Sequence, residues 1–149
     1  MESLTKYINR ISRCYTLYRN GKLEHESING YQHVYILHLC THPGMTQEQI
    51  AQAVYVNKSS VTRQLALLEK TGFITRTPSI SDKRALQVYP TEKAYALYPK
   101  VKRLSEEYNS YLYADFTEEE RDQLITMLKR VTEKAVARLE KEEETCERY

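Results

Sequence analysis

The sequence predicts a mainly α-helical fold with one small β-hairpin. Over most of the chain, apolar residues recur at intervals of three and four, which is the spacing of amphipathic helices. Two short strand-like runs, FITRTP and ALQVYP, interrupt this pattern on either side of the polar segment SISDKR. Two capping boxes mark helix starts. The length of 149 residues suits a single domain, 1–149, with a substantial core.

Two helices are predicted before residue 42. The first runs from about residue 3 to 19, and Asn20-Gly21 is expected to end it. The apolar residues on its common face are Leu4, Tyr7, Ile8, Ile11, Tyr15 and Tyr18. The second is predicted from Ile28 to about Thr41, where the segment HPG ends it.

A tight turn joins the third and fourth predicted helices. Thr46 and Gln49 form a capping box that opens the short helix TQEQIAQAV. Tyr55-Val56 then turns the chain, and Asn57 caps a helix that stops at Thr71-Gly72. This fourth helix begins with hydroxyl, amide and basic side chains and ends in leucines. Its later turns are therefore expected to pack against the protein, and its first turns to form hydrogen bonds with a partner.

The hairpin follows, and two long helices complete the chain. Pro90-Thr91 starts a helix that continues to Leu112, and the capping box of Thr117 and Glu120 opens the last one. Because so small a middle region cannot cover two long terminal helices, the sequence predicts an obligate dimer. Its apolar interface is expected to include Leu4, Ile8, Ile11, Leu104, Leu112, Leu128 and Val131.

Two helices joined by a tight turn and followed by a hairpin predict a winged helix-turn-helix. We assign it to residues 28–91, with 1–27 and 92–149 as dimerisation helices. The start of the fourth helix would enter a major groove, where base edges and phosphates require hydrogen-bonding side chains. The distribution of charge agrees with this assignment. Residues 46–90 contain six basic and three acidic residues, whereas residues 91–149 contain eleven basic and fourteen acidic residues. The positive charge is therefore local, although the whole chain is only +2.

Residues 44–97 resemble the MarR family of bacterial winged-helix transcription regulators. The matching stretches are GMTQEQIAQAVYVNKSSVTRQLALLEKTGFI and the wing SDKRALQVYPTEKA, in which Asp82-Lys83-Arg84 matches the Asp-x-Arg motif of the family. The resemblance implies a homodimer that binds a palindromic operator in double-stranded DNA, represses transcription, and is released by a small molecule or by oxidation. One departure is Tyr55, where many members have glycine; a side chain at positive φ costs roughly 1 kcal/mol.

The expected DNA contacts fall into three groups. Those of the recognition helix are Asn57, Lys58, Ser59, Ser60, Thr62, Arg63 and Gln64. Those of the wing are Arg76, Ser81, Asp82, Lys83 and Arg84. Thr46 and Gln47 are expected at phosphates. Arg63 is expected to read bases and Lys58 mainly phosphates, while Asp82 orients Arg84 into the minor groove.

The resemblance implies an effector site between the first two helices and the winged region. Tyrosine offers apolar area with a hydroxyl, so a small aromatic or phenolic effector is expected. The expected lining is Tyr15, Tyr31, His33 and Tyr35. A plain packing role for these tyrosines stays open.

Two other switches stay open. Cys14 lies where the peroxide-sensing branch of the family has its reactive thiol, so oxidation is one alternative. A metal at His33, His38, His42 and Cys40 is the other. It is disfavoured, because the zinc-sensing branch also takes ligands after the wing and residues 43–149 contain no histidine. No metal or other cofactor is expected.

Motifs and composition argue against other classes. The chain has no Ser-His-acid arrangement, no phosphate-binding glycine loop and no clear carboxylate pair, so an enzyme is not expected. A winged helix that binds protein instead of DNA is disfavoured by the basic wing. No apolar run approaches the roughly 20 residues of a membrane span, and the N-terminus lacks a signal-peptide core. A cytoplasmic protein without a membrane partner is expected, and its three cysteines do not form a disulfide framework.

Overall fold

The computed structural model describes the backbone of residues 2–146 and the side chains of residues 2–141. This part of the chain is mainly helical with a small antiparallel sheet, which confirms the predicted fold class. The helices are α1 (Leu4–Leu23), α2 (Gln32–Thr41), α3 (Gln47–Val54), α4 (Lys58–Lys70), α5 (Glu92–Leu112) and α6 (Glu118–Cys146). The strands are β1 (Met45–Thr46), β2 (Ile74–Pro78) and β3 (Leu86–Pro90). No helix within the described residues has the length and hydrophobicity needed to cross a membrane.

The chain divides inside α5 into two compact units, Met1–Tyr108 and Asn109–Tyr149. The first holds α1 to α4, the sheet and most of α5, and a single hydrophobic core lies within it. Residues of α4 that belong to this core are Val61, Leu65 and Leu68, each fully buried. This apolar face holds α4 against the unit and leaves its polar face outward.

The first helix is longer than predicted. It passes through Asn20-Gly21 and ends at Leu23. Glycine inside a helix costs about 1 kcal/mol. Leu23 is only 3% exposed, and we attribute the extra turn to its packing in the core. The prediction that Asn20-Gly21 ends the helix was therefore wrong, because burial of a later residue outweighed local propensity.

The second helix is shorter than predicted and begins at Gln32 instead of Ile28. Ser27 and Gly30 both have positive φ, at 59° and 52°, which is incompatible with a continuous helix. Ile28 is nevertheless 8% exposed and belongs to the core. The prediction that this helix begins at Ile28 was therefore wrong, because the positive φ of Ser27 and Gly30 keeps Ile28 in a loop.

The wing is a three-stranded sheet with the order β1-β3-β2. Strand β1 was not predicted, because it has only two residues; it pairs with β3 through Met45↔Val88 and Thr46↔Gln87. Gly44 leads into it with φ +87°, and its N–H donates to the carbonyl of Val88 at 2.9 Å. A Cβ at Gly44 would lie 3.2 Å from the Tyr89 hydroxyl, so both backbone conformation and space favour glycine.

The second unit contains the end of α5 and helix α6. The predicted capping box is present: Thr117 N–H donates to Glu120 Oε2 at 2.9 Å, and Glu120 N–H donates to Thr117 Oγ1 at 3.2 Å. Arg121 donates to the carbonyl of Tyr113 at 2.9 Å. None of the side chains described in α6, up to residue 141, is fully buried. A 29-residue helix that carries apolar residues therefore has a face without cover in its own unit.

Candidate nucleic-acid interface

The turn between α3 and α4 fixes how α4 is presented. Tyr55 closes α3 with a left-handed backbone (φ 52°, ψ 46°), as the comparison with glycine at this position had suggested. Asn57 then caps α4, because its Oδ1 accepts from the N–H of Ser60 at 2.8 Å. The hydroxyl of Ser59 donates to the same Oδ1 at 2.9 Å. The Asn57 carboxamide oxygen is therefore engaged by the helix itself.

The polar face of α4 is exposed, but its side chains differ in their freedom. The Thr62 hydroxyl donates to the Lys58 carbonyl at 2.9 Å and accepts from Gln47 Nε2 at 3.2 Å. Gln64 Oε1 accepts from Gln32 Nε2 at 3.2 Å, which ties Gln64 to α2. Arg63 is exposed and has no hydrogen bond or ion pair to any described residue. Arg63 is thus the recognition-helix cation with the greatest freedom to meet a ligand.

Lys58 lies beside Glu48, an acidic residue that was not predicted to belong to the site. Its Nζ is 3.2 Å from Glu48 Oε1, and the two side chains are 79% and 65% exposed. An ion pair this exposed contributes about 0–1 kcal/mol and is screened by salt. A phosphate can therefore replace Glu48 as the partner of Lys58 at small cost.

Arg76 is held at the base of the wing. Its Nε and Nη2 donate to Glu69 Oε2 at 3.1 and 2.5 Å, and its Nη1 donates to Gln47 Oε1 at 3.4 Å. The hydrogen bond from Arg76 lowers the pKa of Glu69. The Arg76 side chain is only 20% exposed. Arg76 was expected to contact DNA, but here it connects β2 to α4 and α3 and orients the Gln47 amide.

The wing tip is closed by backbone hydrogen bonds. The Ser79 N–H donates to the Ala85 carbonyl at 2.8 Å, and the Ala85 N–H donates to the Asp82 carbonyl at 3.0 Å. Asp82 Oδ1 accepts from the backbone N–H of Arg84 at 2.9 Å. Asp82 was expected to orient the Arg84 guanidinium, but its carboxylate shapes the turn on which Arg84 stands. Ser81, Lys83 and Arg84 are all exposed.

An open groove of about 390 Å³ connects the wing with the start of α4. Its lining comes from α3, α4 and the wing with its strands β1 and β3: Thr46, Gln47, Glu48, Lys58, Asp82, Arg84, Ala85 and Leu86. Thr46 and Gln47, expected at phosphates, thus border the same groove as Lys58 and Arg84. Two cations, Lys58 and Arg84, thus flank this groove together with two carboxylates that are already engaged, Glu48 by Lys58 and Asp82 by the backbone N–H of Arg84. Because the Glu48 ion pair is exposed and weak, a phosphodiester backbone can take its place.

The expected effector residues are brought together only in part. Tyr15 and His33 are in edge contact, with ring centroids 5.8 Å apart. Tyr31 is 62% exposed, and its hydroxyl lies 3.4 Å from Ser12 Oγ. Tyr35 is only 2% exposed and belongs to the hydrophobic core, where burial raises the pKa of its hydroxyl. Assigning Tyr35 to the lining was wrong, because its side chain faces the core.

Arg19 joins these residues and was missed in the sequence. It is 2% exposed, and its guanidinium lies 5.1 Å from the Tyr15 ring centre and 5.7 Å from that of Tyr31. It also donates to the Gly30 carbonyl, and its Nη1 lies 3.3 Å from His33 Nε2. Burial, together with the Arg19 charge, lowers the pKa of His33 to about 4. The only sequence signal was the spacing of four between Tyr15 and Arg19 on α1.

The thiol switch and the metal switch involve cysteines on different helices. Cys14 is exposed on α1, and Cys40 is half-buried on α2. Burial raises the pKa of the Cys40 thiol to about 11. Within the described residues, no group of three or more histidine, cysteine or acidic side chains is placed to hold a metal ion.

Comparison with known proteins supports a single family. A sequence model of the MarR family matches residues 28–86. YybA of Bacillus subtilis (strain 168), an HTH-type transcriptional regulator not yet characterised, is 28% identical over 131 residues, which are 88% of this chain and 87% of that protein. A solved structure of the transcriptional regulator SlyA superposes with a TM-score of 0.87 at 28% identity, over 90% of this chain and 94% of that one.

Similar structures include complexes with DNA. One is a protein of Listeria monocytogenes assigned to the MarR family of transcriptional regulators, complexed with 26mer DNA. It is 28% identical to this chain, with a TM-score of 0.85 over 90% of this chain and 89% of that one. The family match at residues 28–86 includes α3, α4 and the whole wing tip, which are the elements that border the groove.

Proposed function

We propose that this chain, which belongs to the MarR family of winged helix-turn-helix transcription regulators, represses transcription as a homodimer on a palindromic operator and leaves it when a small aromatic effector binds. The observation that carries the proposal is the groove shared by α3, α4 and the wing. In it, the exposed polar start of a helix lies beside an exposed basic hairpin. This is the arrangement needed to read a major groove and the neighbouring minor groove together.

Each part of this surface has a distinct role in the proposal. Arg63 and the hydroxyls at the start of α4 read base edges, because they are exposed and rich in donors. Lys58, Thr46 and Gln47 hold phosphates along the groove. Lys83 and Arg84 reach the minor groove from the wing tip. Arg76 supports this surface from behind through Glu69.

The dimer is supported by apolar side chains that are exposed within each unit. In the first unit, α1 exposes Leu4, Ile8 and Ile11. In the second, Leu112 and Leu128 are exposed. A second copy of the chain would cover such faces and place two recognition helices about 34 Å apart, one turn of DNA. Leu104 was also expected at this interface, but its side chain is buried in the hydrophobic core of the first unit.

The effector proposal rests on the cluster around Arg19. A buried guanidinium between the rings of Tyr15 and Tyr31 presents aromatic faces and a cation at one place. Tyr31 is exposed, so it can move without unpacking the core. An aromatic ligand that binds one spacing of the recognition helices better than the other would shift the population between them.

The proposal as a whole is tested by selecting bound DNA from a random pool. The wild-type protein is expected to enrich a palindrome and to sediment as a dimer. Leu128→Glu, at an exposed position of α6, should place charges in the apolar interface, give a monomer and weaken binding to the palindrome at least tenfold. Titrating small aromatic compounds into the wild-type complex should then identify one that releases the DNA.

The matched control is Lys129→Glu, an adjacent exposed residue of α6 with a change of two charges. It should stay dimeric and bind as tightly as the wild type. Enrichment of no sequence would overturn the DNA-binding role. A stable monomeric wild type that binds the full palindrome would overturn the dimer.

The wing gives a separate prediction. Arg84→Ala should weaken operator binding about five- to tenfold without changing thermal stability, because Arg84 is exposed and would contact the minor groove. Asp82→Ala should have a milder effect, since Asp82 fixes the backbone N–H of Arg84 at 2.9 Å. The two losses should be non-additive, because both act through the position of one side chain.

A double-mutant cycle measured by fluorescence anisotropy checks this prediction. Lys83→Ala serves as the comparison, because it removes a wing charge that Asp82 does not hold. Its loss should add to that of Asp82→Ala. If Arg84→Ala and Asp82→Ala are also additive, Asp82 has no positioning role.

A further inference from the structure

Ile80, at the tip of the wing, stands apart from the other apolar residues. Of the large apolar side chains that the structure describes, it is the most exposed, at 101% of its reference area. Single exposed apolar residues are common and need no explanation by themselves. Ile80 differs from them in its position, because it lies on the hairpin that borders the proposed DNA groove.

Hydrogen bonds hold both neighbours of Ile80, Ser79 through its backbone and Ser81 through its side chain. Ser79 is 7% exposed, and its N–H donates to the Ala85 carbonyl at 2.8 Å. Its hydroxyl lies 3.0 Å from the hydroxyl of Ser81. Isoleucine is branched at Cβ and has few rotamers. The tip therefore presents a stiff apolar side chain on a closed loop, which loses little entropy when a partner covers it.

The surroundings of Ile80 favour DNA as that partner. Lys83 and Arg84 are exposed on the same hairpin, and the carboxylate of Asp82 is engaged by the Arg84 backbone N–H. Arg84 shares its groove with Lys58 from the start of α4. An apolar tip flanked by cations matches the minor groove, whose walls are deoxyribose C–H groups between phosphates. Proteins that enter this groove use isoleucine as a wedge between base steps.

We propose that Ile80 is an apolar DNA contact that packs against the deoxyribose wall of the minor groove and loosens the stacking of one base step. The inference rests on the proposed function, because it requires the wing to lie on DNA. Loosening a step is cheapest at flexible pyrimidine–purine steps. Ile80 would then select the DNA sequence under the wing, because a deformable base step costs less to unstack. No polar side chain would need to read that position.

A matched pair of substitutions tests the contact. Ile80→Val and Ile80→Thr give side chains of nearly the same shape, and only threonine carries a hydroxyl. Ile80→Val should bind the selected palindrome within about threefold of the wild type, while Ile80→Thr should bind roughly tenfold more weakly, since a hydroxyl is costly to bury unpaired. Neither should alter the dependence of affinity on salt, because no phosphate contact is removed.

A fluorescent base gives the second measurement. With 2-aminopurine placed in turn at each step under the wing, one position should brighten on binding the wild type and Ile80→Val, and brighten less with Ile80→Thr. Equal affinities and equal fluorescence for the Val and Thr variants would overturn the inference. A difference between them in sedimentation, with equal DNA affinity, would make Ile80 a protein contact instead. If the wild type selects no DNA sequence at all, the proposed function itself fails.

Discussion

Replacing Arg63 with alanine should weaken binding to the operator by about 1–3 kcal/mol, roughly a five- to 150-fold loss of affinity. Arg63 is exposed on the outer face of α4 and has no hydrogen bond or ion pair to a described residue. A guanidinium in this position can donate two hydrogen bonds to a guanine edge in the major groove. The loss should be concentrated at one base pair in each half-site, where the sequence preference relaxes.

Lys58→Ala is the matched comparison, since Lys58 lies on the same helix and also carries one positive charge. It should weaken binding to all DNA sequences about equally and reduce the salt dependence. Anisotropy titrations at two salt concentrations, on the operator and on scrambled DNA, separate the two behaviours. If Arg63→Ala remains dimeric and binds the operator like the wild type, α4 is not the recognition helix.

Acidification from pH 6.5 to about 4 should destabilise the protein by roughly 2–3 kcal/mol through His33 alone. Burial, together with the charge of Arg19, lowers the pKa of His33 from 6.5 to about 4 in the folded chain. The unfolded chain therefore binds this proton at a higher pH than the folded chain does. The stability that neutral His33 contributes is complete above pH 6.5 and is lost as the pH falls toward 4.

Urea unfolding at pH 7.0, 5.5 and 4.5 measures this loss. His33→Gln keeps a hydrogen-bond acceptor for Arg19 and removes the titration, so its unfolding free energy should change much less over the same range. Glu69 contributes a separate loss only below its unfolded pKa of 4.5, because its own pKa is lowered by Arg76. If the wild type and His33→Gln lose stability equally between pH 7.0 and 4.5, His33 titrates normally in the folded chain.

Features that depend on a few neighbouring residues could be predicted from the sequence. The capping box at Thr46 and Gln49, the Asn57 cap and the alternation of faces along α4 all involve residues three or four apart. Their hydrogen bonds form within one helical turn, so local sequence is sufficient to specify them. The left-handed backbone of Tyr55 is different, because it was suggested by the glycine that many members of the family have at this position.

Features that join distant parts of the chain could not be predicted in this way. Arg76 finds Gln47, 29 positions away, and Gln64 finds Gln32, 32 positions away. No local pattern distinguishes an arginine that contacts DNA from one held by Glu69, because both are basic residues on a strand. Strand β1 could not be predicted for the same reason, since its two residues become a strand only by pairing with the distant Val88 and Gln87.

The sequence by itself determined the order of the helices, the capped start of α4 and the placement of basic residues on α4 and the wing. Only the tertiary structure decided which of those polar side chains remain free. It left Arg63 and Ile80 exposed, engaged Arg76, and buried Arg19 beside His33. The physical reason is that helix propensity and capping act within a turn, whereas burial and ion pairing depend on which distant elements meet.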